Sequence, residues 1–227
     1  MTRNLIATAI LIGTTSLGMG AYAQTTSNAV PTPSTGIVTP VTGTPTPSND
    51  PPANTLGTLH RDVHQQQRIE NGLQNGTITT RESAELERNQ ARINELQSKA
   101  MRNGSLSPTE RSELDRLQDK QSRAIKDAHA NGVNGNPMSA SSQRAQSEVQ
   151  RNINQQTRIQ EGVHDNSLTE REASHLEGGQ ARSDMHQYQV GRDGKITERQ
   201  AQQMKEQDNR QSEHIYGAKR DRQQGHR

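Results

Sequence analysis

The chain repeats itself 90 residues apart. Asn75-Gly76-Thr77-Ile78-Thr79 and Asn103-Gly104-Ser105-Leu106-Ser107 lie 28 residues apart. They recur, at the same spacing, as Asp165-Asn166-Ser167-Leu168-Thr169 and Asp193-Gly194-Lys195-Ile196-Thr197. The register holds without a gap from Gln65 to Ile125 against Gln155 to Ile215. A fixed period of this kind marks a chain built from duplicated supersecondary units, so whatever one copy forms the other must form too.

The four segments read as junctions between helices. Their second residues are Gly76, Gly104, Asn166 and Gly194, types that tolerate the left-handed conformation that ends a helix. Three residues further on comes a hydroxyl, with an acceptor three residues beyond it: Thr79 with Glu82, Ser107 with Glu110, Thr169 with Glu172, Thr197 with Gln200. Each pair is a capping box, in which side chain and backbone satisfy each other's first-turn groups, and Pro108 stands where a first helical residue needs no amide proton. Such short connections fold consecutive helices back antiparallel. The spacing predicts helices near 59–74, 79–102 and 107–130, then near 137–164, 169–192 and 197–220. The expected fold is all-α: two tandem three-helix units, 58–131 and 137–220, joined by a linker at 132–136. Asn136 and Pro137 would start the second unit, and a basic tail, 221–227, would end the chain.

Core-forming material is scarce. Hydrophobic residues make up 26% of the chain, Phe and Trp are missing, and Tyr occurs only at 22, 188 and 216. Ordinary domains carry roughly 45–50% apolar residues with Gly included, so a large apolar core is excluded and helices must supply the order. The net charge is +2, with acidic and basic residues interleaved as on a solvated helix surface. That is no nucleic-acid footprint.

In the first unit Leu86, Ile93, Leu96 and Ala100 form a stripe that can face Leu114, Leu117, Ala124 and Ala128. The aligned second-unit residues are Leu176, Ser183, His186 and Val190, facing Met204, Gln207, His214 and Ala218. Gly178-Gly179 also falls inside a helix there, at about 1 kcal/mol per glycine relative to alanine. The first unit is expected to be the sturdier.

The N-terminus has its own logic. Arg3, an apolar stretch from Leu5 to Leu17 and the small-x-small end Ala21-Tyr22-Ala23 make a secretory signal peptide over 1–23. Its cleavage leaves no stable membrane span. Residues 24–57 hold seven of the nine prolines among Thr, Ser and Asn, the composition of an extended, structureless stalk. With no cysteine, neither disulfides nor thiolate metal sites are available.

Sites of chemistry are few. His60 and His64, four residues apart with Asp62 nearby, could supply half of a zinc or copper site, and they are the best metal candidates. Asp193-Gly194-Lys195-Ile196 echoes part of a calcium loop, but that frame puts Gln189, Gly191 and Gln200 at the first, third and twelfth positions. The best loop is Glu161 to Glu172, with Glu161, Asp165 and Glu172 at the first, fifth and twelfth. Val163 occupies the third, however, and capping already explains the Glu. His214, in place of seam residue Ala124, is a position where protonation could loosen packing. No nucleophile elbow, P-loop or zinc-protease motif appears, so no catalytic residue and no cofactor are expected.

The pattern Arg68-Ile69-x-x-Gly72, Ile78-Thr79-x-Arg81-Glu82, Leu86-Glu87-x-x-Gln90-Ala91-Arg92-Ile93 and Asn103-Gly104-x-Leu106-Ser107-Pro108 resembles a group of uncharacterised secreted proteobacterial helical proteins. The second copy keeps Arg158-Ile159, Leu168-Thr169-x-Arg171-Glu172 and Gln180-Ala181-Arg182. Over five residues, Ile196-Thr197-Glu198-Arg199-Gln200 is similar to the LTxxQ periplasmic stress chaperones. The first resemblance brings no activity, and the second implies a chaperone-like role. The expectation is a non-enzymatic periplasmic or secreted structural or interaction protein that meets a protein or envelope partner. The alternative is a metal- or stress-responsive periplasmic binding or chaperone-like protein.

Overall fold

Four junctions with helix-ending and helix-starting chemistry divide the chain as their spacing dictates. The computed structural model describes residues 53–104 and 106–224. The leader, the proline-rich segment up to residue 52 and the last three residues of the tail lie outside the described residues. Among those described there are six α-helices and no strand: α1 (Ala53–Asn75), α2 (Thr80–Met101), α3 (Pro108–Ala130), α4 (Ala140–His164), α5 (Glu170–Gly191) and α6 (Glu198–Gln224). None is long and apolar enough to cross a membrane.

The junction chemistry is as the sequence reads. Gly76, Gly104, Asn166 and Gly194 all adopt positive φ. Thr79, Ser107 and Thr169 cap α2, α3 and α5, each exchanging hydrogen bonds with Glu82, Glu110 or Glu172. Before α6 the Gln200 amide N–H donates to Thr197 Oγ1, and Gln200 Oε1 accepts from the Thr197 amide. An N-cap replaced by alanine loses about 1 kcal/mol. Ser107→Ala should therefore lower the free energy of unfolding in urea by that amount, and an unchanged value would remove the cap from the stability argument.

Two helix starts differ from expectation. α1 begins at Ala53, directly after Pro51-Pro52, because Thr55, Thr58 and Leu59 are buried and extend the packed face. α4 begins at Ala140 under an N-cap from Ser139, whose hydroxyl accepts from the Ser142 amide. Asn136 instead accepts from the Met138 amide, so Asn136-Pro137 forms a turn before the helix.

The duplication is visible in the packing. Gln65 Nε2 donates to the Gln118 carbonyl at 2.7 Å, and Gln155 Nε2 to the aligned Asp208 carbonyl at 2.8 Å. Gln66 to Glu87 and Gln156 to Glu177 both measure 2.8 Å. Gln121 reaches the Leu86 carbonyl as Gln211 reaches that of Leu176.

The copies do not pack as two separate units. The largest helix–helix interface is α2 against α5, followed by α1 against α4, and both join one copy to the other. Ser174, early in α5, donates to the Ser98 carbonyl late in α2, while Arg81, early in α2, donates to the Arg192 carbonyl after α5. The equivalent helices therefore run antiparallel about a pseudo-two-fold axis, with α3 and α6 attached to the flanks of their own copies. One apolar cluster joins Ile69, Leu73 and Leu86 to Val149, Val190 and Met204, and another joins Leu59 and Met101 to Ile159, Leu176 and Ile215. Residues 53–224 form one bundle because two short stripes of aliphatic residues need each other for burial.

The first-copy seam is present, with Ile93, Ala100 and Leu114 buried together and Leu96 and Leu117 against them. In the second copy Gln207 Nε2 meets Ser183 Oγ at 3.4 Å. Gly179 has a packing role: a Cβ there would run into the Gln211 amide, which crosses α5 to reach Leu176. Gly72 and Gly162 act alike, since side chains there would collide with Ile78 and Leu168, the junction aliphatics folded back onto α1 and α4.

Candidate functional site

Where the two copies meet, the side chains are polar. Along α2 the buried residues Glu87, Gln90, Asn94 and Gln97 follow a three-four spacing, which places them on one face of a helix. On α5 the aligned residues Glu177, Gln180, Asp184 and Gln187 do the same, and all eight are buried. Asp62 and Gln66 from α1, Asn152 and Gln156 from α4, Gln118 from α3 and Asp208 from α6 complete the layer.

The connections are specific. Asp62 accepts from Gln97 and from Gln118, the latter at 2.7 Å. Asn94 Nδ2 donates to Asp184 Oδ2 at 2.8 Å, across the pseudo-two-fold axis. Asn152 Nδ2 faces three oxygens, those of Asp184 at 3.1 Å, Gln187 at 3.1 Å and Glu87 at 3.5 Å. Acceptors are in excess. Gln65, Gln66, Gln90, Gln97, Gln118 and Gln121 all donate through nitrogen and leave a buried amide oxygen with no donor. Buried oxygens of Glu87, Glu148, Glu177 and Asp208 are also without a donor.

Such a layer favours neutral carboxyls. Burial removes water from the charged form, and little positive charge is at hand to compensate. Desolvation pushes Asp62 up to about 6 and Glu87 up to about 7, against the hydrogen bonds that each accepts. Asp208 is pushed up to about 8, first by desolvation and then by the carboxylate of Glu148 beside it. Glu177 and Asp184 lie well above the ordinary carboxylate range, through burial and then through the repulsion of neighbouring acids. A protonated carboxyl gains an O–H, the kind of group that this acceptor-rich layer lacks. The arrangement can therefore hold protons.

Interleaved acidic and basic residues read in the sequence as a solvated helix surface, yet these five acids lie in the core. A polar three-four stripe looks the same whether it faces water or a second polar stripe. One signal was available: positions 87, 90, 94, 97, 177, 180, 184 and 187 carry only amides and acids, without the Lys or Arg of a solvated face.

The other candidates are local. His60 and His64 are exposed, with their Nε2 atoms 3.1 Å apart. Asp62 cannot join them, because it points into the core and serves Gln97 and Gln118. Gln150 and Asn154 at the aligned positions make the same one-turn contact as an amide pair. Asp165 accepts from the Ser167 amide and Glu172 from that of Thr169, so two of the three carboxylates of the best calcium loop are engaged by their own junction. His214 is exposed rather than set in the seam.

Fold and site together define a class: an internally duplicated six-helix bundle with an acid-and-amide layer at its pseudo-two-fold axis. No family model, curated protein or solved structure matches the chain.

Proposed function

We propose that this is a non-enzymatic secreted or periplasmic helical protein, which acts through its polar outer faces on a protein or envelope partner. One observation carries the reading. The cavity that touches the buried acids, lined by Ser83, Glu87, Glu148, Gln187 and Met204, has a volume of about 10 Å³. That is room for about one water molecule and for no organic substrate. The groups able to move protons thus face one another, while among the described residues the only large hydrophobic side chains open to a partner are Val133, Met138 and Tyr216. The capped junctions and aligned hydrogen bonds suit a rigid spacer, and the signal-like leader and Pro/Thr segment suit export.

The second reading, a metal- or stress-responsive binding protein, draws on the His60–His64 contact and on the buried acids. Titration with zinc and copper separates the two. Two imidazoles on one helix supply half of a four-ligand site, so binding should be weak, abolished by His64→Ala and without effect on helix content. Sub-micromolar affinity together with a gain in helix would overturn the scaffold reading in favour of the metal-responsive one.

A further inference from the structure

The duplication provides an internal control for the charge state of the core. At three aligned pairs one copy has an acid where the other has an amide: Asp62 with Asn152, Asp184 with Asn94, and Asp208 with Gln118. Neutral Asp and Asn share a shape, and each offers a donor and an acceptor, whereas ionised Asp can only accept. Exchange of acid for amide across a pseudo-two-fold axis, with all six residues buried, is what a neutral acid permits.

The consequence is sharpest at Asp208. In the first copy Gln118 on α3 donates through Nε2 to the Thr58 carbonyl at 2.9 Å and to Asp62 at 2.7 Å, tying α3 to α1. The residue aligned with Thr58 is Glu148 on α4, and the carboxyl of Asp208 on α6 lies within hydrogen-bonding reach of it and of Ser183. Glu148 Oε2 and Asp208 Oδ2 are both buried without a donor, and the other oxygen of Glu148 pairs with Arg151. Two carboxyls in contact in a buried site cannot both be ionised at small cost. The charged groups facing the pair are Arg151 on α4, Asp184 on α5 and Glu87 on α2, which lines the same small cavity as Glu148 and also acts on Asp184. Arg151 neutralises one of the two negative charges and leaves the other for a proton.

We propose that Asp208 carries a proton directed at Glu148, and that this proton is the clip holding α6 against α4. Asp208 O–H donates to the Glu148 carboxylate when the site is loaded, in the role that the Gln118 amide fills permanently in the first copy. When the proton leaves as hydroxide takes it up, two adjacent carboxylates face a single arginine and α6 loosens. The device is closed by acid and opened by base, and it is confined to the second copy.

Hydrogen exchange on the intact chain between about pH 5 and about pH 8.5, corrected for intrinsic rates, tests this. One linked proton changes an opening equilibrium by up to about tenfold per pH unit between the pKa of the opened carboxyl and that of the closed one, and no further above the latter. Protection of α6 amides should fall by about that factor in excess of the change in α3. In Asp208→Asn, which restores the amide chemistry of position 118, the excess should vanish. Glu148→Gln supplies a permanent donor from the other side and should also remove it, which keeps the test decisive if one variant fails to fold. Equal pH response of α6 and α3 in the unmodified chain, or an undiminished excess in both variants, would overturn the proposal.

Discussion

Unfolding at about pH 5 should require several kcal/mol more than at about pH 8.5, the reverse of the usual gain on leaving acid. Asp62, Glu87, Glu177, Asp184 and Asp208 all have folded-state pKa values above those of the unfolded chain. For a group of that kind the folded state binds the extra proton. Its contribution is complete below the unfolded value, near 4, and is lost as the pH rises through 6 to 8, where Asp62, Glu87 and Asp208 ionise. Asp62, buried and pushed up to about 6, loses about one pH unit of that contribution above pH 5, alone roughly 1 kcal/mol at about 1.36 kcal/mol per unit. Opposing groups are weak. Glu110, Glu113 and Asp165 are held low, which favours the fold above pH 4, but they lie at the surface where solvent screens them. Urea unfolding followed by circular dichroism across this range is the measurement. A flat profile, or one that rises towards pH 8.5, would mean that the buried acids keep their charges.

Legibility divided along the line between local and distant interactions. Helix ends were readable because the partners of a cap lie within a few residues. Thr79 needs only Glu82, and Gly76 needs only its own missing side chain, so sequence alone placed both. α4 was misplaced by three residues because Asn136-Pro137 and Ser139 are both good starting signals. The choice fell to Ser139, which is followed by Ser142 and Ala145, two of the buried residues of the packed face. The polar layer was not readable, because nothing within α2 tells whether Asn94 will meet water or Asp184. The shortage of aliphatic residues was a true clue read in part. It excluded a large apolar core, but it did not show that amides and acids would occupy the centre.

Cutting the chain in the 132–136 linker should destroy far more structure than a boundary between independent units would allow. The expectation from the aliphatic seam alone was a sturdy first half and a looser second one. The packing argues otherwise, since Ile69, Leu73, Leu86 and Met101 find much of their apolar company in α4, α5 and α6. Burial of one such side chain is worth about 1.5–3 kcal/mol, so exposing these four removes an amount comparable with the roughly 5–15 kcal/mol of a whole domain. Glu87, Asn94 and Asp62 would also lose the low-dielectric surroundings that make their hydrogen bonds count. Segments 53–131 and 137–227, produced separately, should each show well under half the helix per residue of the intact chain. An equimolar mixture at about pH 5 should recover most of it, because the α2–α5 and α1–α4 contacts can form between chains and the acids are then neutral. Cooperative melting of either segment alone at the temperature of the intact protein would show that the pseudo-two-fold interface joins two finished domains rather than creating one.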